Sequence, residues 1–462
     1  MESKSLVVIA GLLALAAPVA LPAPAGLDGP AWLAAGLALA MALWWLTEAL
    51  PLAATALLPL AAAPLLGIAD LGSVAGAYSD PLIILFLGGF LLAKAIESSG
   101  LHRRLAFALI GVAGTRPERV LAAVMATTAF LSLWISNTAA AMVVAPVAAA
   151  IAAAQEDRPD FGTALMLGVA FAATCGGMGS LIGTPPNAIF AAHVRAVHGV
   201  EIGFAQWALV GLPVAATLLA ITWLVLARVT PRLTSAALGA SLPQRQGRMT
   251  TAERRVALVA GLTALAWITR PLLDWLFPAL ALTDAGIAML AAMAVFVLPD
   301  GAGGRLLDWD GAAKLRWDVL ILFGGGLALA GILAETGLAG WIGGQVEALA
   351  HLPVLLLLLI IAALIVYVGE LASNTAMAAL FLPITGAVAV SLGVDPVAFM
   401  LPVALAASVG FMLPVATPPN AIVFANPAVT RAAMLRAGAP LDVLGILVAV
   451  GLSVLLGPRV LG

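Results

Sequence analysis

Ser136-Asn137-Thr138-Ala139 and Thr184-Pro185-Pro186-Asn187-Ala188-Ile189 each occur twice in this chain. The first returns 237 positions later as Ser373-Asn374-Thr375-Ala376, and the second returns 233 later as Thr417-Pro418-Pro419-Asn420-Ala421-Ile422. Other matches keep the same order. Ile84–Gly89 (ILFLGG) aligns with Ile321–Gly326 (ILFGGG), and Gly100-Leu101 with Gly337-Leu338, both at 237, while Pro146 and Pro383 each lie ten residues beyond a motif serine. The change from 237 to 233 is one short deletion between the last two blocks. Matched blocks in one order read as an internal duplication.

The surroundings of these motifs decide what they do. The chain has 462 residues, 63% hydrophobic and 10% charged, against about 25% charged in a soluble domain. Long apolar runs extend from end to end, so no large soluble domain fits. No basic run and no His/Cys cluster is present, which argues against nucleic acid and structural zinc. A lone Cys175 excludes an internal disulfide. An apolar helix crosses a bilayer in about 20 residues. Several candidate spans are too short for that. The segments 118–153 and 352–391 each read as a re-entrant hairpin with few polar residues at the tip. The segments 162–197 and 396–431 each read as one crossing broken in the middle.

The expected fold is an all-α polytopic membrane protein with 11 transmembrane segments, in two inverted-topology repeats with re-entrant hairpins and broken helices. Residues 1–25 form an unpaired first helix. A signal peptide also fits Lys4 before an apolar run, but this run is slightly long and a second span follows at once. Residues 26–228 form the first repeat, 229–253 a cytoplasmic linker, and 254–462 the second repeat. Five crossings per repeat, an odd number, invert the second copy. With the N-terminus inside, 17 Lys and Arg fall on the cytoplasmic side, three (Arg195, Arg270, Arg459) fall outside, and Lys94 sits near a helix end. That bias follows the positive-inside rule and puts the C-terminus outside. The expected location is the inner (plasma) membrane.

Thr-Pro-Pro-Asn forces non-helical backbone. The residue before a proline leaves the α region, and two prolines remove two donors. The helix can restart at the second proline. Such backbone is tolerated at membrane depth only where it lines protein or a wet cavity. The Ser-Asn-Thr tips add side-chain oxygens at the start of two more helices. Four helix N-termini then face the centre, a setting for an anion. The hydroxyls of Thr138, Thr375, Thr184 and Thr417 and the amides of Asn137 and Asn374 can bond carboxylate oxygens. Unwound carbonyls and Ser/Asn oxygens also suit a small hard cation such as Na⁺. The motifs hold no Lys or Arg, so a co-bound cation offsets the charge of a dianion at mid-membrane.

At these residues the chain resembles the divalent anion/sodium symporter family of di- and tricarboxylate transporters. The resemblance includes Thr47-Glu48-Ala49-Leu50-Pro51, the Gly-Gly segments, both tips and both breaks. It implies a scaffold domain that holds a homodimer, and a transport domain that moves as an elevator. It places substrate at Asn137, Thr138, Asn374 and Thr375, with Thr184, Thr417 and Pro418 nearby. It places one Na⁺ among Ser132, Ser136, Asn137 and Gly183, and another among Gly369, Ala372, Asn374 and Ala416. Ser132 lies four residues before Ser136, but Gly369 holds the matching place before Ser373 and has no hydroxyl. The expected activity is Na⁺-coupled symport of a succinate-like C4 dicarboxylate. A sodium-independent di/tricarboxylate exchanger and a sulfate transporter of the same fold stay open. A membrane enzyme would need an acid/base or metal constellation, and none is visible.

Four acids, Glu48, Glu97, Glu335 and Glu370, lie at or near the ends of apolar segments, where an acid is either functional or capping. Glu370 stands out, three residues before Ser373. The histidines, His102, His193, His198 and His351, fall in predicted loops or helix ends. Trp207, Trp309 and Trp317 near span ends suit interfacial anchoring. Cys175 reads as packing.

Overall fold

The computed structural model describes residues 2–114, 116–154, 159–229, 247–345 and 351–461. Arg158 and most of the expected linker, including Arg232 and Arg245, lie outside the described residues. Among the described residues the regular structure is helical, beside one isolated bridge between Pro299 and Arg305.

Local chemistry sets the helix ends. α1 (Glu2–Ala20) packs against α2 (Gly29–Thr47), whose first turn is capped by the Asp28 carboxylate. The expected span over 51–67 is two pieces, α3 (Leu52–Ala56) and α4 (Leu58–Leu65). Pro59 cannot donate to the Thr55 carbonyl, so the helix interrupts there. After the short α5 (Leu71–Gly76), α6 (Pro81–Ser99) starts under an Asp80 cap. It ends at Gly100, whose φ of +80° is a left-handed position that glycine adopts without a Cβ clash. α7 (Leu101–Ile110) follows, then α8 (Pro117–Ser132) and α9 (Asn137–Ala153), the two arms of the first hairpin. α10 (Pro159–Met178) and α11 (Pro185–His198) are the two parts of the first broken helix, and α12 (Phe204–Val229) closes the half.

α13 (Thr251–Leu276) opens the second half with a reciprocal Thr250–Glu253 capping box. α14 (Asp284–Val297), α15 (Trp309–Ala312), α16 (Trp317–Glu335) and α17 (Leu338–Gln345) follow. α18 (Val354–Gly369) and α19 (Asn374–Ser391) form the second hairpin. α20 (Pro396–Ala406) and α21 (Pro418–Phe424) are the second broken helix, and α22 (Arg431–Val460) is last.

Eight of the described helices are long and apolar enough to cross a membrane alone. Seven of these are expected crossings and the eighth, α19, is a hairpin arm. The other expected crossings are short or broken, namely α1, α3 with α4, α14, and α20 with α21. Of these eight helices α10 is the most deeply buried, with 94% of its apolar stretch inside the fold, and α13 is the most peripheral at 22%.

Contacts between the halves come in mirrored pairs. α11 packs on α19 and α21 on α9, α10 packs on α21 and α20 on α11, and α6 packs on α14 as α16 does on α3. The pairing follows the order of the repeated motifs in the sequence. Phe171 on α10 meets Phe411 in the second break edge-on, with ring centroids 5.2 Å apart. Charged groups gather at two opposite ends of α6. Arg195 pairs with Asp80 before it, and Arg104 after it pairs with Glu253 at 3.0 Å. Arg270 joins the first group's side through Glu201 at 3.0 Å and Asp284 at 3.4 Å.

The second break differs from the reading of the sequence. It runs from 407 to 417, against 179 to 184 in the first half, and α21 spans only 418–424. Two buried acids explain the longer unwinding. Glu370 accepts from the Met412 and Leu413 amides at 2.9 and 2.7 Å, and Asp442 accepts from the Phe411 amide at 2.9 Å. These carboxylates replace the helical carbonyls those amides would otherwise need.

Candidate functional site

Each broken helix is held by its own asparagine. Thr184 and Thr417 precede the restarted helices in near-identical extended backbone, φ/ψ −143/143° and −140/149°. Unwinding leaves carbonyls without helical donors, and the prolines have none to give. The Asn187 amide nitrogen donates to Gly177 O at 3.1 Å and Ser180 O at 2.8 Å. In the second half Asn420 donates to Gly410 O at 3.1 Å and Leu413 O at 3.0 Å. The intervals, ten and seven residues, are the same in both halves. Trp207 adds a donor to the first break through Met178 O at 3.1 Å. It is fully buried, so it is a structural donor and not the interfacial anchor its position near a span end suggested.

The first hairpin tip is bound to the first break. The Ser132 hydroxyl donates to Ala173 O on α10 at 2.7 Å. With the Asn137 amide oriented to donate, its nitrogen reaches Ser132 Oγ at 2.6 Å, Ala173 O at 3.2 Å and Gly183 O at 3.3 Å. Gly177 lies directly beneath, where a Cβ would collide with the Asn137 amide. Ser136 is exposed and caps α9 by accepting from the Ala139 amide at 3.2 Å. Three of the four residues expected around the first cation, Ser132, Asn137 and Gly183, thus converge. Ser136 is next to them in the chain with its hydroxyl used as a cap.

The second tip is built from different chemistry. Ser373 precedes α19 without a side-chain cap. The Asn374 amide nitrogen lies 3.5 Å from Ser408 O, while Asn374 Oδ1 and Ser408 Oγ are buried polar atoms with no hydrogen-bond partner. Gly369 O accepts from Ala372 N at 3.2 Å in the tip turn, and Ala372 and Ala416 are buried. In place of the Ser132 hydroxyl, the neighbouring Glu370 carboxylate ties this tip to its break. The Glu370 and Asp442 carboxyl groups adjoin one another.

The remaining predicted substrate residues lie around the same breaks and tips. Thr184 and Thr417 are buried, Thr138 and Thr375 are half-buried on the first turns of α9 and α19, and Pro418 is exposed. The Thr417 hydroxyl accepts from the Asn420 amide at 3.3 Å. Because α21 has only seven residues, the N-terminal field at the centre comes from α9, α11 and α19, three helices where four were expected. Orphaned oxygens, unwound carbonyls and helix N-termini without Lys or Arg make a site that can hold an oxyanion and hard cations together.

The match to known proteins agrees with this architecture. The model of the sodium:sulfate symporter transmembrane region matches residues 2–461. The chain belongs to that family. It is accordingly a multi-pass membrane transporter. The sodium-dependent dicarboxylate transporter SdcS of Staphylococcus saprophyticus is 38% identical over 447 residues, covering 92% of this chain and 86% of that one. SdcS of Staphylococcus aureus strain USA300 is 37% identical with the same coverage. Among solved structures, the YdaH transporter of Alcanivorax borkumensis aligns with a TM-score of 0.56 at 16% identity, over 84% of this chain and 86% of that chain. That likeness concerns the fold alone.

Several residues that matter here carry little signal in the sequence. Asp442 sits inside a long apolar helix, where an ionisable residue is itself a flag, yet its partner Phe411 is 31 residues away. Asn187 and Asn420 belong to the quoted motif, but their role as donors to the breaks shows only in the folded chain. Of the four flagged acids, Glu370 is buried, Glu97 pairs with Lys94 at 2.9 Å, and Glu48 and Glu335 are exposed. His193 lies within α11 and is buried, not at a helix end. Cys175 is buried against Thr222, as a packing residue would be.

Proposed function

We propose that this chain is a Na⁺-coupled symporter of a succinate-like C4 dicarboxylate, working by an elevator motion of the hairpins and broken helices against the rest. The observation that carries this reading is the convergence of Ser132, Asn137, Ala173 and Gly183. Three oxygens surround the Asn137 amide nitrogen, a donor standing where a cation would receive the same lone pairs. Turning that amide presents Oδ1 as a fourth oxygen, and all-oxygen sets suit hard cations. The relatives named above are sodium-dependent dicarboxylate transporters, which supports the same coupling ion and substrate class.

The dicarboxylate lies between the two tips, with Asn137, Thr138, Asn374 and Thr375 as its side-chain contacts and Thr184, Thr417 and Pro418 at its edge. A second Na⁺ lies among Gly369, Ala372, Asn374 and Ala416. The unpartnered Asn374 Oδ1 supports that placement. The protein is a homodimer in the bacterial inner membrane with eleven crossings, its N-terminus cytoplasmic and its C-terminus outside. The excess of Lys and Arg in the segments assigned to the cytoplasm supports this orientation. Gly369, lacking a hydroxyl, favours one other reading, a sodium-independent exchanger.

Proteoliposomes decide between them. Labelled succinate and citrate uptake is measured with an inward Na⁺ gradient, and separately with carboxylate inside and no gradient. Gradient-driven succinate uptake is the expected result. Uptake indifferent to Na⁺ but dependent on internal carboxylate would replace symport with exchange.

A further inference from the structure

A groove of about 670 Å³ lies between α6, α7 and α9, outside the tips and breaks. Its floor is one stripe of α9, running from Ala139 through Met142 to Pro146. Ala139 directly follows Thr138, so the groove's inner end abuts the first turn of α9, where the substrate is placed. The last two turns of α6 and the start of α7 bring Lys94, Glu97 and Arg103 to its other side. These charges are at the Arg104–Glu253 end of α6, the cytoplasmic end in the orientation proposed above.

These charges are arranged unequally. Lys94 Nζ meets Glu97 Oε2 at 2.9 Å, one turn apart, and the two side chains are 27% and 29% exposed. Arg103 is exposed and lies within electrostatic reach of His102 on α7. Two cations and one acid, with Ser98 and His102 beside them, leave a net positive side on a groove whose remaining lining is apolar. Such a side concentrates an anion at a low-dielectric cleft. Glu97 is a carboxylate already bound to Lys94, and a substrate carboxylate offers Lys94 the same chemistry.

We propose that Lys94 is a transient docking station for the dicarboxylate on its way between the tips and the cytoplasm, with Glu97 as its built-in competitor. A bare Lys94 in a partly buried groove would retain the departing dianion. Glu97 displaces it by re-forming the ion pair, so the station passes substrate on without trapping it. The station rests on the dicarboxylate reading given above. It acts on one face of the membrane only, since Lys94 is far along α6 from the Asp80 end.

Right-side-out and everted membrane vesicles from expressing cells test it, with labelled succinate as the probe under a Na⁺ gradient. In everted vesicles Lys94→Gln raises the half-saturating succinate concentration about fivefold, the scale of a partly exposed charge pair. Glu97→Gln lowers it about threefold there, by removing the competitor. Both variants leave the right-side-out value within about twofold, and Lys94→Arg restores the wild-type value. The Lys94→Gln effect shrinks in high salt as screening weakens the attraction. Equal changes on both faces, or weaker cytoplasmic-face binding in Glu97→Gln, would overturn the station. A variant that fails to fold shows itself as lost right-side-out uptake, in which case Lys94→Arg and Glu97→Gln carry the decision. Wild-type vesicles that take up no succinate would instead refute the dicarboxylate reading itself.

Discussion

Asn187 holds Gly177 across the first break with a 3.1 Å hydrogen bond from its amide nitrogen, and Asn420 holds Gly410 across the second at the same distance and the same ten-residue interval. Each asparagine also satisfies a second carbonyl seven residues back. An unpaired buried backbone group costs about 1–3 kcal/mol. Asn420→Ala therefore lowers the unfolding midpoint in detergent, and Asn420→Asp does not rescue it, because a carboxylate cannot donate. Thermal unfolding followed by tryptophan fluorescence measures this. An Asn420→Asp variant as stable as wild type would show that these amides do not hold the breaks.

Gly177 and Asn137 are in contact across the first site. A methyl at Gly177 meets the end of the Asn137 side chain and not backbone, so the fold can yield at modest cost. Gly177→Ala is expected to keep normal expression and stability but to weaken succinate binding tenfold or more, an effect of about 1.4 kcal/mol. Asn137→Ala and Asn374→Ala abolish binding. Equilibrium binding of labelled succinate to purified protein reads all three, and near-normal affinity in both alanine variants would leave the tips with a structural role only.

One difference between the two tips is a single hydroxyl. Ser132 bonds Ala173, while at Gly369 an added Cβ would meet only Met377 Cγ, at 3.8 Å. Gly369→Ser thus fits, and it places an oxygen beside the second tip. The half-saturating Na⁺ concentration for succinate uptake should fall about three- to tenfold, the worth of one added polar contact, whereas Ser132→Ala raises it. Unchanged Na⁺ dependence in Gly369→Ser would place no cation at the second tip.

Glu370 takes over the tie that the serine makes in the first half. Its two oxygens hold the Met412 and Leu413 amides. Glu370→Ala frees two half-buried donors and costs at most about 2–6 kcal/mol, at about 1–3 kcal/mol for each donor fully cut off from water. Glu370→Gln keeps one acceptor oxygen and loses the other, so it falls between. The order wild type, Gln, Ala in detergent unfolding midpoint is the expected outcome. Equal midpoints for Gln and Ala would mean that the hydrogen bonds do not matter singly.

Much of this architecture was legible before folding because its signals are local or repeated. Thr-Pro-Pro-Asn breaks a helix because two prolines remove two backbone donors, and a fixed offset of 237 marks the duplication without any structure. Asn137 was marked by the repeated tip, whereas Ser132, whose counterpart is Gly369, was indicated only by the family resemblance. The length of the second break was not, since it depends on Glu370 and Asp442 accepting amides 42 and 31 residues away. Trp207 misled because a tryptophan near a span end suits the interface and the interior alike, and only its partner Met178 O separates the two.

The sequence by itself determined the class of the molecule. Its apolar runs, its paired tips and its paired breaks make a duplicated helical membrane protein, because backbone periodicity, proline sterics and hydropathy act over a few residues at a time. Only the tertiary structure decided how the two copies diverge. Chemically equal motifs, Ser-Asn-Thr twice and Thr-Pro-Pro-Asn twice, sit in unequal surroundings. A hydroxyl secures the first tip to a helix carbonyl, and a buried carboxylate secures the second to unwound amides. That difference arises from partners brought together across the fold, and no stretch of chain contains both sides of it.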